Sequence, residues 1–140
     1  LKKILIFVDC EGVDAVAERL REFGAVEFDS RETFYGVDDS RETLQSFKDW
    51  LTKFNGRPVF VSDNVAYDWQ VLNRRFLMFF GENPFGHSAR RLGDFYAGLV
   101  GDFWKSTDWK RLRRTSHDHH PVNDALGNVE AFERMLRGER

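Results

Sequence analysis

A mixed α/β domain, with a central β-sheet covered by helices, is the fold class that the chain predicts. Three observations carry it. Runs rich in β-branched and aromatic residues come first, and segments with helical apolar spacing follow. Ile4-Leu5-Ile6-Phe7-Val8 is apolar without alternation, as expected of a strand covered on both faces.

Arg21 to Phe28 reads as a second strand and Glu32 to Tyr35 as a third, joined by a link, Asp29-Ser30-Arg31, short enough for a hairpin. A helix is expected from about Arg41 to Phe54, because Leu44, Phe47, Leu51 and Phe54 recur at helical spacing. Asp39 and Glu42 have the form of a capping box at its start, and Asn55-Gly56, with Pro58 just beyond, ends it. Val59-Phe60-Val61 is a further buried-strand candidate. A second helix carries Trp69, Leu72, Phe76 and Phe79 on one face, and Gly81 to Gly86 is a loop. A third helix, roughly Ser88 to Leu99, has Leu92, Phe95 and Leu99 inward, and Asp108 to Arg114 forms a helical turn. The last helix, Val122 to Leu136, presents Val122, Ala125, Val129, Phe132 and Leu136 as one stripe. With no repeat, linker or low-complexity segment, residues 1–140 are expected to form a single domain.

Hydrophobic residues make up 41% of the 140, which excludes a disordered chain. Fourteen Phe and four Trp against three Pro point to a core of aromatic rings. The net charge of −2 announces no nucleic-acid binder, so any such reading has to rest on local charge. The run at Ile4–Val8 is too short to cross a membrane. Cys10, the only cysteine, cannot form an internal disulfide. No secretory signal is visible, and a cytoplasmic protein is expected; the absence of an initiator Met leaves a trimmed N-terminus open.

Acids follow the first strand directly. Alternation puts Asp9 and Glu11 on one side and Cys10 on the other. Two such carboxylates repel unless a cation holds them, and oxygen ligands of this kind suit Mg²⁺ or Mn²⁺. The plain alternative is an acidic start to a solvated loop. Asp68 and Asp124 each fall in the first turn of a helix, where an acid is favourable for its own sake. Asp124 lies at the border of its helix's apolar stripe. His119 precedes it by five residues, in a segment halted by Pro121, and the run His117-Asp118-His119-His120 could also serve as a surface site for a transition metal. Just before it, Lys105, Lys110, Arg111, Arg113 and Arg114 are interleaved with Trp104 and Trp109. Basic side chains neutralise phosphates while rings stack on unpaired bases. The alternative is an amphipathic helix whose tryptophans face the core.

Taken in order, the acids form a pattern. Asp9-Cys10-Glu11 ends the first strand, Asn64-Val65-Ala66-Tyr67-Asp68 opens a helix, and His119-His120-Pro121-Val122-Asn123-Asp124 opens the last one. In these D-x-E, N-x-x-[FY]-D and H-x-x-x-x-D motifs the chain resembles the DEDDh exonucleases of the ribonuclease H-like fold, over almost its whole length. It looks most similar to a small bacterial and phage exoribonuclease branch. Phe7 to Gly12, Glu22 to Glu27, Tyr67-Asp68 and Pro121 to Ala125 carry that impression.

The resemblance implies a 3′→5′ exonuclease, expected to act on single-stranded RNA or DNA with RNA favoured, and releasing nucleoside 5′-monophosphates. It implies two Mg²⁺ or Mn²⁺ ions held by Asp9, Glu11, Asp68 and Asp124, and His119 as the catalytic base, with His120 as a competitor at the wrong spacing. Gly12 stands where many relatives have Thr or Ser, so a backbone contact to the terminal ribose is expected there. Asn64, Trp109, Lys110, Arg113 and Arg114 complete the expected substrate contacts, and a homodimer is a further expectation. Two other classes stay open: a non-catalytic nucleic-acid or partner-binding module on the same fold, and a metal-dependent nucleotide or dinucleotide hydrolase.

Overall fold

The computed structural model of the protein describes residues 2–13 and 19–140. Among them the strands are β1 (Lys3–Gly12), β2 (Leu20–Glu27), β3 (Thr33–Gly36), β4 (Arg57–Ser62) and β5 (Ala89–Arg91), in sheet order β3-β2-β1-β4-β5. β1 pairs antiparallel with β2, and β2 with β3; β1 pairs parallel with β4, and β4 with β5. The helices are α1 (Arg41–Thr52), α2 (Val65–Phe80), α3 (Leu92–Val100) and α4 (Pro121–Leu136), with a 3₁₀ turn at Asp108–Leu112. A mixed sheet flanked by helices is the expected α/β architecture, consistent with a ribonuclease H-like fold.

β1 is the central strand because its apolar run, Ile4–Val8, supplies both faces. Ile6, Val8 and Cys10 pack with Leu44, Phe47 and Leu51 of α1 and Val71, Leu72 and Phe76 of α2. Phe7 packs on the other face with Val26, Tyr96 of α3, Trp109, and Ala125, Val129 and Met135 of α4. The Phe-rich composition appears as contacting rings: Phe47 meets Phe23 at 5.1 Å, and Phe7 meets Phe132 at 5.4 Å between centroids. No helix among the described residues is long and apolar enough to cross a membrane.

Four local expectations are corrected. Ser40, not Asp39, caps α1, its hydroxyl accepting from Thr43 N at 3.2 Å. Asp39 is drawn away by an ion pair with Arg75 at 2.9 Å. The Ser88–Leu99 helix divides into the edge strand β5 and the shorter α3, because Ala89–Arg91 pairs with Phe60–Ser62. Phe95 is 41% exposed, its ring touching Phe132 from outside the core, and Leu136 is 56% exposed. The buried line of α4 keeps Ala125 and Val129 and is completed by Asp124, Asn128, Ala131 and Met135, which places an acid inside the stripe rather than at its border.

Gly24 sets how close α4 lies to the sheet. It pairs with Asp9 across the β1–β2 ladder, and a Cβ added there would lie 2.4 Å from Val122 N and 2.5 Å from the Pro121 carbonyl carbon. Both of those neighbours are backbone and cannot rotate away. Gly24→Ala is therefore expected to lower stability by about 1–3 kcal/mol, the usual range for overpacking. Urea denaturation checks this; wild-type stability in the variant would show that the seam can open freely.

Candidate metal and nucleic-acid site

Alternation along β1 turns Asp9 and Glu11 toward α4, on the same side as Phe7. The Gly24 seam brings the first turn of α4 onto that side, and with it Asp124, which is only 1% exposed. One carboxylate oxygen from each of Asp9, Glu11 and Asp124 lies within 4.8 Å of the others. Asp9 Oδ2 and Asp124 Oδ2 are buried and accept no hydrogen bond from the described residues.

Asp68 comes from the opposite face, at the start of α2. The β1–β4 ladder ends at Phe7–Val61, and the Cys10 N–H beyond it donates to Asp68 Oδ1 at 2.9 Å. Asp68 stands outside the trio, yet its charge acts on Asp9. Asp63, the other acid near this motif, points elsewhere, to Lys110 Nζ at 3.4 Å.

Burial, then the charges of Asp68, Asp124 and Glu11, pushes the Asp9 carboxyl up to about 9, with only Arg113 opposing. Burial likewise raises Asp68 to about 7, opposed chiefly by the Cys10 N–H. Buried acids without hydrogen-bond donors are the arrangement that a divalent cation relieves. An oxygen-only donor set from Asp9, Glu11 and Asp124 fits a hard cation. The Cys10 thiol is pushed up by burial and then by Asp68, so it supplies no thiolate.

The histidines divide unexpectedly. His117, which the H-x-x-x-x-D spacing passes over, has Nδ1 at 3.0 Å from Asp124 Oδ1. His119, the expected base, is exposed, with left-handed backbone (φ 64°), and its ring meets that of His117 edge to face at 4.4 Å. His120 lies against Tyr35, ring centroids 5.1 Å apart. Asp118 ties down the start of α4, accepting from His120 N at 2.9 Å and Asn123 Nδ2 at 2.8 Å. No motif spacing pointed to His117; its only signal was membership of the histidine run.

One expected substrate contact is corrected, and a second has its guanidinium shared with α4. Trp109 is fully buried in the core beneath α3 and α4, so its ring offers no face to a base. Arg113 is turned toward α4: its Nη2 donates to Asp124 O at 2.9 Å and Asn128 Oδ1 at 2.7 Å, beside Gly127, where a Cβ would come within 2.9 Å of its Nε. Lys110 and Arg114 remain exposed, and with Asp63, Arg113 and His117 they line a groove of about 450 Å³. The groove therefore reaches the acids through His117. Gly12 lies at an irregularity of the β1–β2 pairing, and the Asn64 carbonyl accepts from the Tyr67 and Asp68 amides while its side chain is exposed and makes no cap bond.

The fold and this gathering of acids define the class: an α/β domain with a carboxylate cluster suited to a divalent cation. No family model matches the chain. It is similar to the 3′-5′ DNA exonuclease Cap18 of Escherichia coli, 29% identical over 102 residues, which are 67% of this chain and 54% of that protein. The chain thus spans about half the length of the relative, and the likeness supports kinship with 3′-5′ exonucleases.

Without metal, the acids make stability depend on pH. Asp9 and Asp68 ionise near 3.8 when exposed but near 9 and 7 in the folded protein. Between those values the folded chain binds more protons than the unfolded one, so stability falls as pH rises from about 4 to 9. The melting temperature in EDTA is expected to drop from pH 5 to pH 8, and the gain on adding Mn²⁺ is expected to grow over the same range. A flat profile in EDTA would show that the carboxylates are not buried together.

Proposed function

We propose that the chain is a metal-dependent 3′→5′ exonuclease of the DEDDh type, acting on single-stranded nucleic acid. The observation that carries this reading is the meeting of Asp9, Glu11 and Asp124 within 4.8 Å, with buried oxygens left unpartnered. The likeness to a 3′-5′ DNA exonuclease supports the same polarity. Two Mg²⁺ or Mn²⁺ ions bound by these acids and Asp68 would supply the charge that clamps a phosphodiester and eases ionisation of the attacking water.

The chain's own residues do the rest. Asp68, fixed by the Cys10 N–H, completes the acidic shell. Lys110 and Arg114 in the groove draw the phosphates toward the acids, and the Gly12 backbone contacts the terminal ribose. Water oxygen bonds to phosphorus and the water's proton passes to an imidazole; the bond from phosphorus to the 3′ oxygen breaks, and that oxygen leaves with the electron pair and takes a proton from solvent. Motif spacing assigns that imidazole to His119; the 3.0 Å approach to Asp124 favours His117 as a second reading.

RNA is the substrate favoured by the motif resemblance, and DNA the one favoured by the named relative. Incubation of labelled single-stranded RNA and DNA with Mn²⁺ compares them directly. Nucleoside 5′-monophosphates are expected from a free 3′-hydroxyl end and none from a 3′-phosphate end or in EDTA. Cutting of a circular strand would refute the polarity. Binding without cleavage would indicate a non-catalytic module, and hydrolysis of dinucleotides alone a nucleotide hydrolase.

Asp9→Ala and Asp124→Ala are each expected to lose at least about 10³-fold in rate, because charge stabilisation carries most of such a reaction. His119→Ala is expected to slow turnover by roughly 10²–10⁴-fold while leaving Mg²⁺ or Mn²⁺ binding intact, the usual worth of a general base. If His117→Ala is the slow variant and His119→Ala stays near wild type, the base is His117.

A further inference from the structure

A second donor set meets at the start of α4, and it differs in chemistry from the acid trio. His117, His119 and Asp124 each offer one ligand atom, and the three atoms lie within 4.8 Å of one another. His117 Nδ1 is 3.0 Å from Asp124 Oδ1, and the two imidazole rings meet edge to face with centroids 4.4 Å apart. Both histidines are exposed and open to an ion from solvent, whereas Asp124 is 1% exposed and its Oδ2 has no hydrogen-bond partner. The left-handed backbone of His119, uncommon for a residue other than glycine, accompanies this meeting of rings.

Other soft donors are turned away. The His120 ring lies against Tyr35, and Cys10 Sγ faces the Asp68 carbonyl oxygen at 3.8 Å. Arg113 borders the set, with Nη1 at 3.4 Å from His117 Nδ1, but its Nη2 is committed to Asp124 O and Asn128 Oδ1.

Two imidazoles and one carboxylate suit a borderline cation. Imidazole favours Zn²⁺ and its neighbours over Mg²⁺, and three protein ligands with one open position are a common zinc arrangement. We propose that His117, His119 and Asp124 form a Zn²⁺-class site, separate in donor chemistry from Asp9, Glu11 and Asp124, whose filling stops nucleic-acid hydrolysis. The inhibitory half rests on the exonuclease reading. Asp124 belongs to both sets, and either candidate proton acceptor would have its lone pair taken by the ion. No bond is made or broken beyond coordination.

Calorimetric titration of Zn²⁺ into the whole chain carrying Asp9→Asn, in excess Mg²⁺, tests binding apart from activity. One equivalent is expected, with affinity little changed from wild type. His117→Gln and His119→Gln are each expected to weaken it by at least about tenfold, as loss of a coordinating group does. Co²⁺ in place of Zn²⁺ is expected to give visible absorption that fades in the same variants. Zn²⁺ binding that ignores both histidine substitutions, or that disappears in Asp9→Asn, would overturn the site by placing the ion in the acid trio. In the wild type, Zn²⁺ is expected to suppress Mn²⁺-supported hydrolysis at the concentrations that fill the site; undiminished hydrolysis with the site filled overturns the inhibitory half. Histidine-dependent Zn²⁺ binding by a chain that hydrolyses nothing would instead sink the exonuclease reading and leave the site standing.

Discussion

The distance between α4 and the sheet is the constraint on which the site depends. Any side chain at Gly24 would meet the backbone of Pro121 and Val122, so the helix can come down beside β1 only over a glycine. Pro121 at the first turn suits this entry, since it gives up an amide that has no helical partner and pre-sets the backbone angle. Gly24 also sits opposite Asp9 in the ladder, so the place of closest approach is the place where the acids meet. A second gap, at Gly127, lets the Arg113 guanidinium lie along the same helix and hold the Asp124 carbonyl. One missing side chain positions the helix; the other admits a cation behind the carboxylate.

Bringing the acids together opposes folding. A buried polar group with no partner costs about 1–3 kcal/mol, and here Asp9 and Asp124 both have such an oxygen. Arg113 is the cation that lowers Asp9, and its influence is outweighed by burial and three carboxylates. Opposing this cost are the two aromatic cores on either side of β1, where Phe7 packs with its neighbours on α4. A cation bound by the acids would turn the same cluster from a liability into a binding site and would link metal binding to stability.

Much of this was legible in the sequence, and the reason is periodicity. The unbroken apolar run of β1 announced a central strand, and strict alternation beyond Val8 put Asp9 and Glu11 on one side. The α4 pattern fixed a helix but misjudged its buried line by a fraction of a turn, enough to hide that Asp124 lies inside it. What escaped depends on tertiary pairing. Ala89–Arg91 has no strand pattern of its own and becomes β5 only because β4 offers an edge. Trp109 read equally well as a binding surface or as core, and burial beneath α3 and α4 decides for the core. His117 had no spacing to recommend it, since the segment before Pro121 is not helical and residue counts there do not translate into direction.

That segment explains how two histidines can compete for one carboxylate. It is tied at one end by Arg113, which grips α4, and at the other by Pro121, which sits in the Gly24 seam. Asp118 adds a brace to the helix start through His120 N and Asn123. Both anchors bear on the helix that carries Asp124. His117 and His119 stand side by side within the arch, with His117 the neighbour of Asp124. The acids are set by the sheet and by glycine gaps, while the imidazoles hang on a short exposed connection. Asp124 is the one buried carboxylate that both donor sets share, so the proposed Zn²⁺ site and the acid trio would compete through it.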